Sequence, residues 1–115
     1  MTVQIRKTYR GINPEMLCDE IQGLAQKQGV RVGERKVQTY SLPSGATQTR
    51  VTLSFKTQGE QAEGEKECGG AHIVSAPGGE TKLLLDLNEN LLVKENISGI
   101  QEDLDFILDS YEIKW

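Results

Sequence analysis

Residues 48–57, QTRVTLSFKT, alternate apolar and polar side chains without interruption. Val51, Leu53 and Phe55 fall on one side of this segment, while Arg50 and Thr52 fall on the other. A period of two is typical of a β-strand that buries one face and leaves the other in water. We therefore predict a strand here, with an inner and an outer face.

The residues before this strand predict its hairpin partner. Residues 30–42 have the pattern of a strand, but their apolar members do not keep a single alternation, so we expect a bulge near Gly33 or Val37. Residues 43–45, Pro-Ser-Gly, have the composition of a tight turn. The two strands should form an antiparallel hairpin.

Three further strands are expected from the same kind of pattern. Residues 2–10 alternate apolar and polar side chains. Residues 71–76 and 81–87 flank a Pro-Gly-Gly-Glu turn at residues 77–80, which predicts a second hairpin. Residues 58–70 lack any large apolar side chain, and we predict that they form a loop.

A first helix is predicted from Pro14 to about Gln28. Asn13 can cap its first turn, Pro is tolerated at the first helical position, and Gly29 suits the left-handed residue that often ends a helix. The apolar side chains within it recur at helical spacing on one stripe: Leu17, Ile21, Leu24 and Ala25.

A second amphipathic helix is predicted at the C-terminal end of the sequence. Ser98 and Gln101 match a capping box, and apolar residues recur at helical spacing from Ile100 to Trp115. Residues 88–97 are compatible with an extension of the fifth strand, a short sixth strand or an anchored loop.

The element order is β-α-β-β-β-β-α, which predicts one α+β domain over residues 1–115. We expect an antiparallel sheet of about five strands with both helices on one face. In element order the chain resembles the START and Bet v 1 helix-grip domains, in which a twisted sheet grips a long C-terminal helix. A ferredoxin-like arrangement is the alternative, with residues 111–115 as a final strand.

Composition excludes some functions. The longest apolar runs hold three residues, far fewer than the roughly 18 of a membrane-spanning helix. The first residues alternate in polarity and do not resemble a secretory signal, so we expect a cytoplasmic protein with free thiols. A net charge of -4 argues against non-specific nucleic-acid binding, because that binding depends on Lys and Arg.

Cys68 and His72 are the residues most suited to metal or nucleophilic chemistry. We expect Cys68 to be exposed in the Gly-rich loop, and Cys18 to be buried on the first helix. A zinc site needs three or four ligands, but the chain has one His and two separated Cys. The sequence therefore predicts no metal, no cofactor and no catalytic residue, with Cys68 and His72 as candidate reactive positions only.

Two groups of residues are candidate binding positions. A basic surface would form if Arg6, Arg10, Arg50 and Lys56 share the outer face of the sheet. A helix-grip pocket between the sheet and the C-terminal helix would be lined by Phe55, Leu85, Leu104 and Leu108, which are equally suited to form the core.

Three functional hypotheses follow. The first is a non-catalytic binding or protein-interaction module, with an unknown protein or small molecule as partner, or a homodimer. The second is a small hydrophobic-ligand-binding domain of helix-grip type. The third, which has the least support, is an enzyme that uses His72.

Overall fold

The computed structural model describes residues 2–56, 67–76, 79–92 and 94–112. The strands are β1 (Thr2–Arg10), β2 (Arg31–Ser41), β3 (Thr47–Lys56), β4 (Glu67–Ala76) and β5 (Glu80–Asn88). The helices are α1 (Pro14–Lys27) and α2 (Lys94–Ile107). This order confirms the predicted α+β class.

All five strands form one antiparallel sheet in the order β1-β5-β4-β3-β2. The chain therefore begins at one edge of the sheet, and α1 carries it across to the opposite edge, where β2 lies. The remaining strands return one by one until β5 pairs with β1. Because β1 and β2 are both edge strands, each leaves one row of backbone groups outside the sheet.

The start of α1 follows from its local sequence. The Asn13 side-chain oxygen accepts a hydrogen bond from the backbone N–H of Met16 at 2.8 Å, and Pro14 occupies the first turn. Gly29 follows the helix with φ +79°, a conformation that glycine adopts without strain. The buried side chains of α1 include those of Leu17, Cys18, Ile21, Leu24 and Ala25.

Both helices cover the same face of the sheet. α1 packs on β2, β3 and β4, and its C-terminal end meets α2, where Gln28 donates a hydrogen bond to Asp103 at 3.4 Å. α2 lies toward β1, because Lys7 forms an ion pair with Asp105 at 3.1 Å. The core between helices and sheet includes Tyr9 and Phe55 together with the leucines of β5.

The predicted bulge lies in β2, close to Gly33. The β2–β3 pairing shifts between Val32 and Arg35, so that Gly33 and Glu34 together face Ser54. The Glu34 N–H donates a hydrogen bond to the Ser54 side-chain oxygen at 2.9 Å. The register of the long hairpin is thereby fixed on both sides of the bulge.

β4 is longer than predicted. It begins at Glu67, so residues 67–70 belong to a strand and not to the loop expected there. The rest of the predicted loop, residues 58–66, lies outside the described residues. Gly69 allows the strand to pass close to β5, since a Cβ at this position would overlap the carbonyl oxygen of Asp86. The small residues that predicted a loop here instead allow two strands to lie close together.

The limits of the second helix also differ from the prediction. α2 begins at Lys94, because the buried stripe includes Ile97, which is 6% exposed and precedes the supposed cap at Ser98. The described residues within 88–97, the segment for which the sequence allowed a strand or a loop, are divided among the end of β5, a turn and the first turn of α2.

The helix ends at Ile107, earlier than predicted, and the last predicted helical position, Trp115, lies outside the described residues. A short 3₁₀ turn, Asp109–Tyr111, follows it, and Glu112 then pairs with Tyr9 of β1. Lys7 also reaches Glu112 at 3.4 Å, so this turn fastens the end of the described chain to the edge of the sheet. Among the described residues, no helix has the length and apolar character needed to cross a membrane.

Candidate functional site on the open face of the sheet

The face of the sheet opposite the helices is covered by neither helix. Strand register shows which residues share it, because directly paired residues in antiparallel strands point to the same side. One row across the sheet contains Arg6, Leu84, His72, Thr52 and Lys36. The adjacent row contains Thr8, Lys82, Val74, Arg50 and Gln38.

A shallow depression of about 600 Å³ lies on this open face, over β1, β5 and β4. Leu84 and Val74 are partly buried and provide its apolar surface, while Arg6, Lys82 and His72 are exposed around it. Two further depressions on the same face, each also lined by His72, extend toward β2 and toward the start of β4. His72 therefore lies where the three depressions meet.

The four basic residues predicted to form a surface all lie on this face. Arg6 and Arg10 are on β1 and Arg50 and Lys56 are on β3, with β5 and β4 between them. Arg10 forms an ion pair with Glu80 at 3.3 Å. The Arg50 guanidinium lies 5.2 Å from the centre of the Tyr40 ring, within the range of a cation–π contact.

Sequence reasoning missed Lys82 and Leu84, which lie between the two basic groups. The signal was available, because a β5 that turns Leu83, Leu85 and Leu87 inward must turn the residues between them outward. Leu84 was passed over because it stands in an apolar run, where alternation is hard to see. Leu84 adds apolar surface to the site, and Lys82 adds a further positive charge.

Cys68 and His72 do not share an environment. Cys68 was expected to be exposed, but it is completely buried, and burial raises the pKa of its thiol. The same holds for Cys18, where burial was expected. The described residues contain no group of three or more His, Cys, Asp or Glu side chains arranged to hold a metal ion.

The exposed His72 imidazole has no hydrogen-bonded partner within the part of the chain that the structure describes. A general base normally needs a second group that fixes its orientation and tautomer. Its neighbours across the strands are Leu84 and Thr52.

The residues predicted to line a helix-grip pocket are tightly packed. Phe55, Leu85, Leu104 and Leu108 are each at most 1% exposed and belong to the core between the helices and the sheet. A ligand at this position would have to displace side chains that already fill the space. A separate depression of about 480 Å³ lies beside the start of α2, and its apolar lining residues are Val3, Leu92 and Ile97.

Comparison with known proteins does not add to this geometry. No protein-family model, curated protein or solved structure matches the chain.

Proposed function

We propose that this protein is a non-catalytic binding module that docks an acidic protein partner on the open face of its sheet. The observation that carries the proposal is the depression in which exposed Arg6, Lys82 and His72 surround the partly buried side chains of Leu84 and Val74. An apolar centre within a polar rim is the usual anatomy of a protein interface.

The distribution of charge supports an acidic partner. The chain carries a net charge of -4, yet the two central rows of the open face contain Arg6, Lys82, Arg50 and Lys36 and no carboxylate. One carboxylate, Glu112, lines the depression and is ion-paired with Lys7 at 3.4 Å, and further acidic side chains lie on α2. Such segregation increases the rate of encounter with an acidic surface and discourages basic partners.

The shape of the site supports a macromolecular partner over a small molecule. The depression is open to solvent and belongs to a face that spans five strands, whereas small-molecule sites usually enclose most of their ligand. A protein segment laid across the strands could contact Leu84 and the surrounding cations together. The hydrophobic-ligand and His72-enzyme hypotheses have no comparable support.

Binding of a synthetic peptide of alternating Glu and Leu, followed by calorimetry at two salt concentrations, tests the proposal. We expect binding that weakens as salt increases. Arg6→Glu and Lys82→Glu should each weaken binding by about tenfold or more, and Leu84→Ser should weaken it without changing its salt dependence. Arg6 and Lys82 are exposed and Leu84 is only partly buried on the open face, so the fold should be retained, which circular dichroism can verify.

Lys94→Glu is the matched control, because it makes the same change in charge at an exposed position on α2. It should leave peptide binding within about twofold of the unsubstituted protein. If the protein does not bind the peptide, or if Lys94→Glu weakens binding as much as Arg6→Glu, the open face is not the docking site.

A further inference from the structure

The outer edge of β2 carries a row of backbone groups that point away from the sheet. The Leu42 N–H donates to the Ala46 carbonyl at 2.8 Å, so even-numbered residues in this part of the hairpin turn their backbone groups toward β3. The odd-numbered residues Val37, Thr39 and Ser41 must therefore direct their N–H and C=O groups outward. Their register with β3 continues without a shift from Arg35 to Ser41.

This part of the edge lacks the features that usually prevent pairing. Edge strands are commonly protected by charges, prolines or bulges, and the first half of β2 has a bulge followed by Arg35 and Lys36. From Val37 to Thr49 the sequence contains no charged residue. Val37 and Tyr40 are nevertheless 48% and 42% exposed, which leaves two large side chains in contact with water.

We propose that this edge pairs with the same edge of a second copy of the chain, antiparallel and with a two-fold axis at Val37. Paired residues in two antiparallel strands turn their side chains to the same side of the sheet. Since side chains alternate along β2, this holds for two identical strands only if the two-fold axis passes through a residue that pairs with its own copy. Centring on Arg35 or Lys36 would place a cation opposite itself. Centring on Val37 places the two exposed valines together.

The remaining pairs in this register are compatible. Lys36 would oppose Gln38 of the second copy, and Arg35 would oppose Thr39, while its guanidinium is already neutralised by Asp19 at 2.6 Å. Three residue pairs whose backbone groups point away from β3 would exchange about six backbone hydrogen bonds. The result joins two five-stranded sheets into one, with both basic open faces on the same side.

Sedimentation equilibrium of the full chain tests the pairing. The unsubstituted protein should show a concentration-dependent mass that approaches twice 12.8 kDa. Val37→Lys and Val37→Glu should each be monomeric, because like charges would meet at the axis. An equimolar mixture of these two variants should recover the dimer, since Lys would then oppose Glu.

Phe106→Lys is the matched control, because Phe106 on α2 is also an exposed apolar side chain, at 85% exposure. It should dimerise like the unsubstituted protein. A monomer at all concentrations overturns the proposal, and so does a dimer that survives Val37→Lys. Failure of the mixed variants to associate refutes the register centred on Val37. Because Val37 faces the helix side, none of these outcomes decides whether the open face binds a partner.

Discussion

Replacing Tyr9 by Phe should stabilise the protein, although it removes a polar group from a native core residue. Tyr9 is completely buried in the core, and no hydrogen-bond partner for its hydroxyl is found among the described residues. A buried hydroxyl without a partner costs about 1–3 kcal/mol relative to its hydrated state in the unfolded chain. Tyr9→Phe removes this cost and keeps the aromatic ring.

The opposing term is small. Loss of the oxygen leaves a void of about 10 Å³, which costs about 0.2 kcal/mol at ~24 cal/mol per Å³. The net gain should be about 1–3 kcal/mol, or an increase in Tm of about 4–12 °C for a chain of this size. Thermal unfolding followed by circular dichroism measures the shift.

The pH dependence provides a second readout of the same variant. Burial first, and then the charges of Glu112 and Asp105, raise the pKa of Tyr9 above its ordinary value. The unfolded chain therefore ionises this tyrosine from about pH 10 upward while the folded protein keeps it neutral, so stability is lost as pH rises. The advantage of Tyr9→Phe should grow by about 1.4 kcal/mol per pH unit above pH 10.

Thr81→Val is the matched comparison, because it also removes a buried hydroxyl without changing the shape of the side chain. The Thr81 hydroxyl donates to the Ile12 carbonyl at 2.7 Å, so its loss should destabilise the protein by about 1–2 kcal/mol. If Tyr9→Phe lowers Tm as Thr81→Val does, the Tyr9 hydroxyl has a partner and the reasoning is refuted.

Three other outcomes follow from local features of the fold. Asn13→Ala should lower the free energy of unfolding by about 1 kcal/mol in urea titrations, whereas Asn13→Ser should keep most of the cap; equal losses would contradict a capping role. Gly69→Ala should destabilise the protein by more than about 2 kcal/mol, because its Cβ would overlap a carbonyl oxygen of β5. Gly23→Ala, whose Cβ would have nothing within 4 Å, should stabilise it by about 0.5–1 kcal/mol. A stabilising Gly69→Ala or a destabilising Gly23→Ala would contradict the packing. Cys18 and Cys68 should resist a thiol-specific reagent until the protein is unfolded, and rapid labelling of the native protein would show that one of them is accessible.

The parts of the fold that the sequence predicted best are those where one face is buried along the whole element. β1 and α1 have limits close to the prediction, because alternation in β1 and the Asn13 cap of α1 are local properties of the chain. The strand predicted for β4 is too short because Cys68, Gly69 and Gly70 lack the large side chains by which strands are recognised. Their role depends on the close approach of β5, which no local pattern reveals.

The end of α2 shows a different limit of local reasoning. Apolar residues continue at helical spacing beyond Ile107, but the chain leaves the helix so that Glu112 can pair with Tyr9. Lys7, on the inward side of β1, joins the same arrangement through its ion pairs with Asp105 and Glu112. A contact between the two ends of the chain outweighs helical periodicity here, and its partners are about one hundred residues apart.

The candidate site was predicted only in part, for a related reason. Alternation correctly assigned Arg6 and Arg50 to the outer face, but it could not show that β5 and β4 lie between them. Strand order determines which outward residues become neighbours, and that order is a property of the whole sheet. Leu84 and Lys82 gain their importance from their position beside His72 and Val74 in the assembled sheet.

Val37 shows where burial ends within the sheet. Its direct partner Val51 lies on the same face and is 1% exposed, yet Val37 is 48% exposed. The cover that the helices provide therefore stops between β3 and β2 in this part of the hairpin. The helices of the same chain do not cover this inward-facing valine, and the sheet of the same chain does not use the backbone groups beside it. A strand from a second copy would cover both. The same two features that leave this edge incomplete in one chain are thus complementary between two chains.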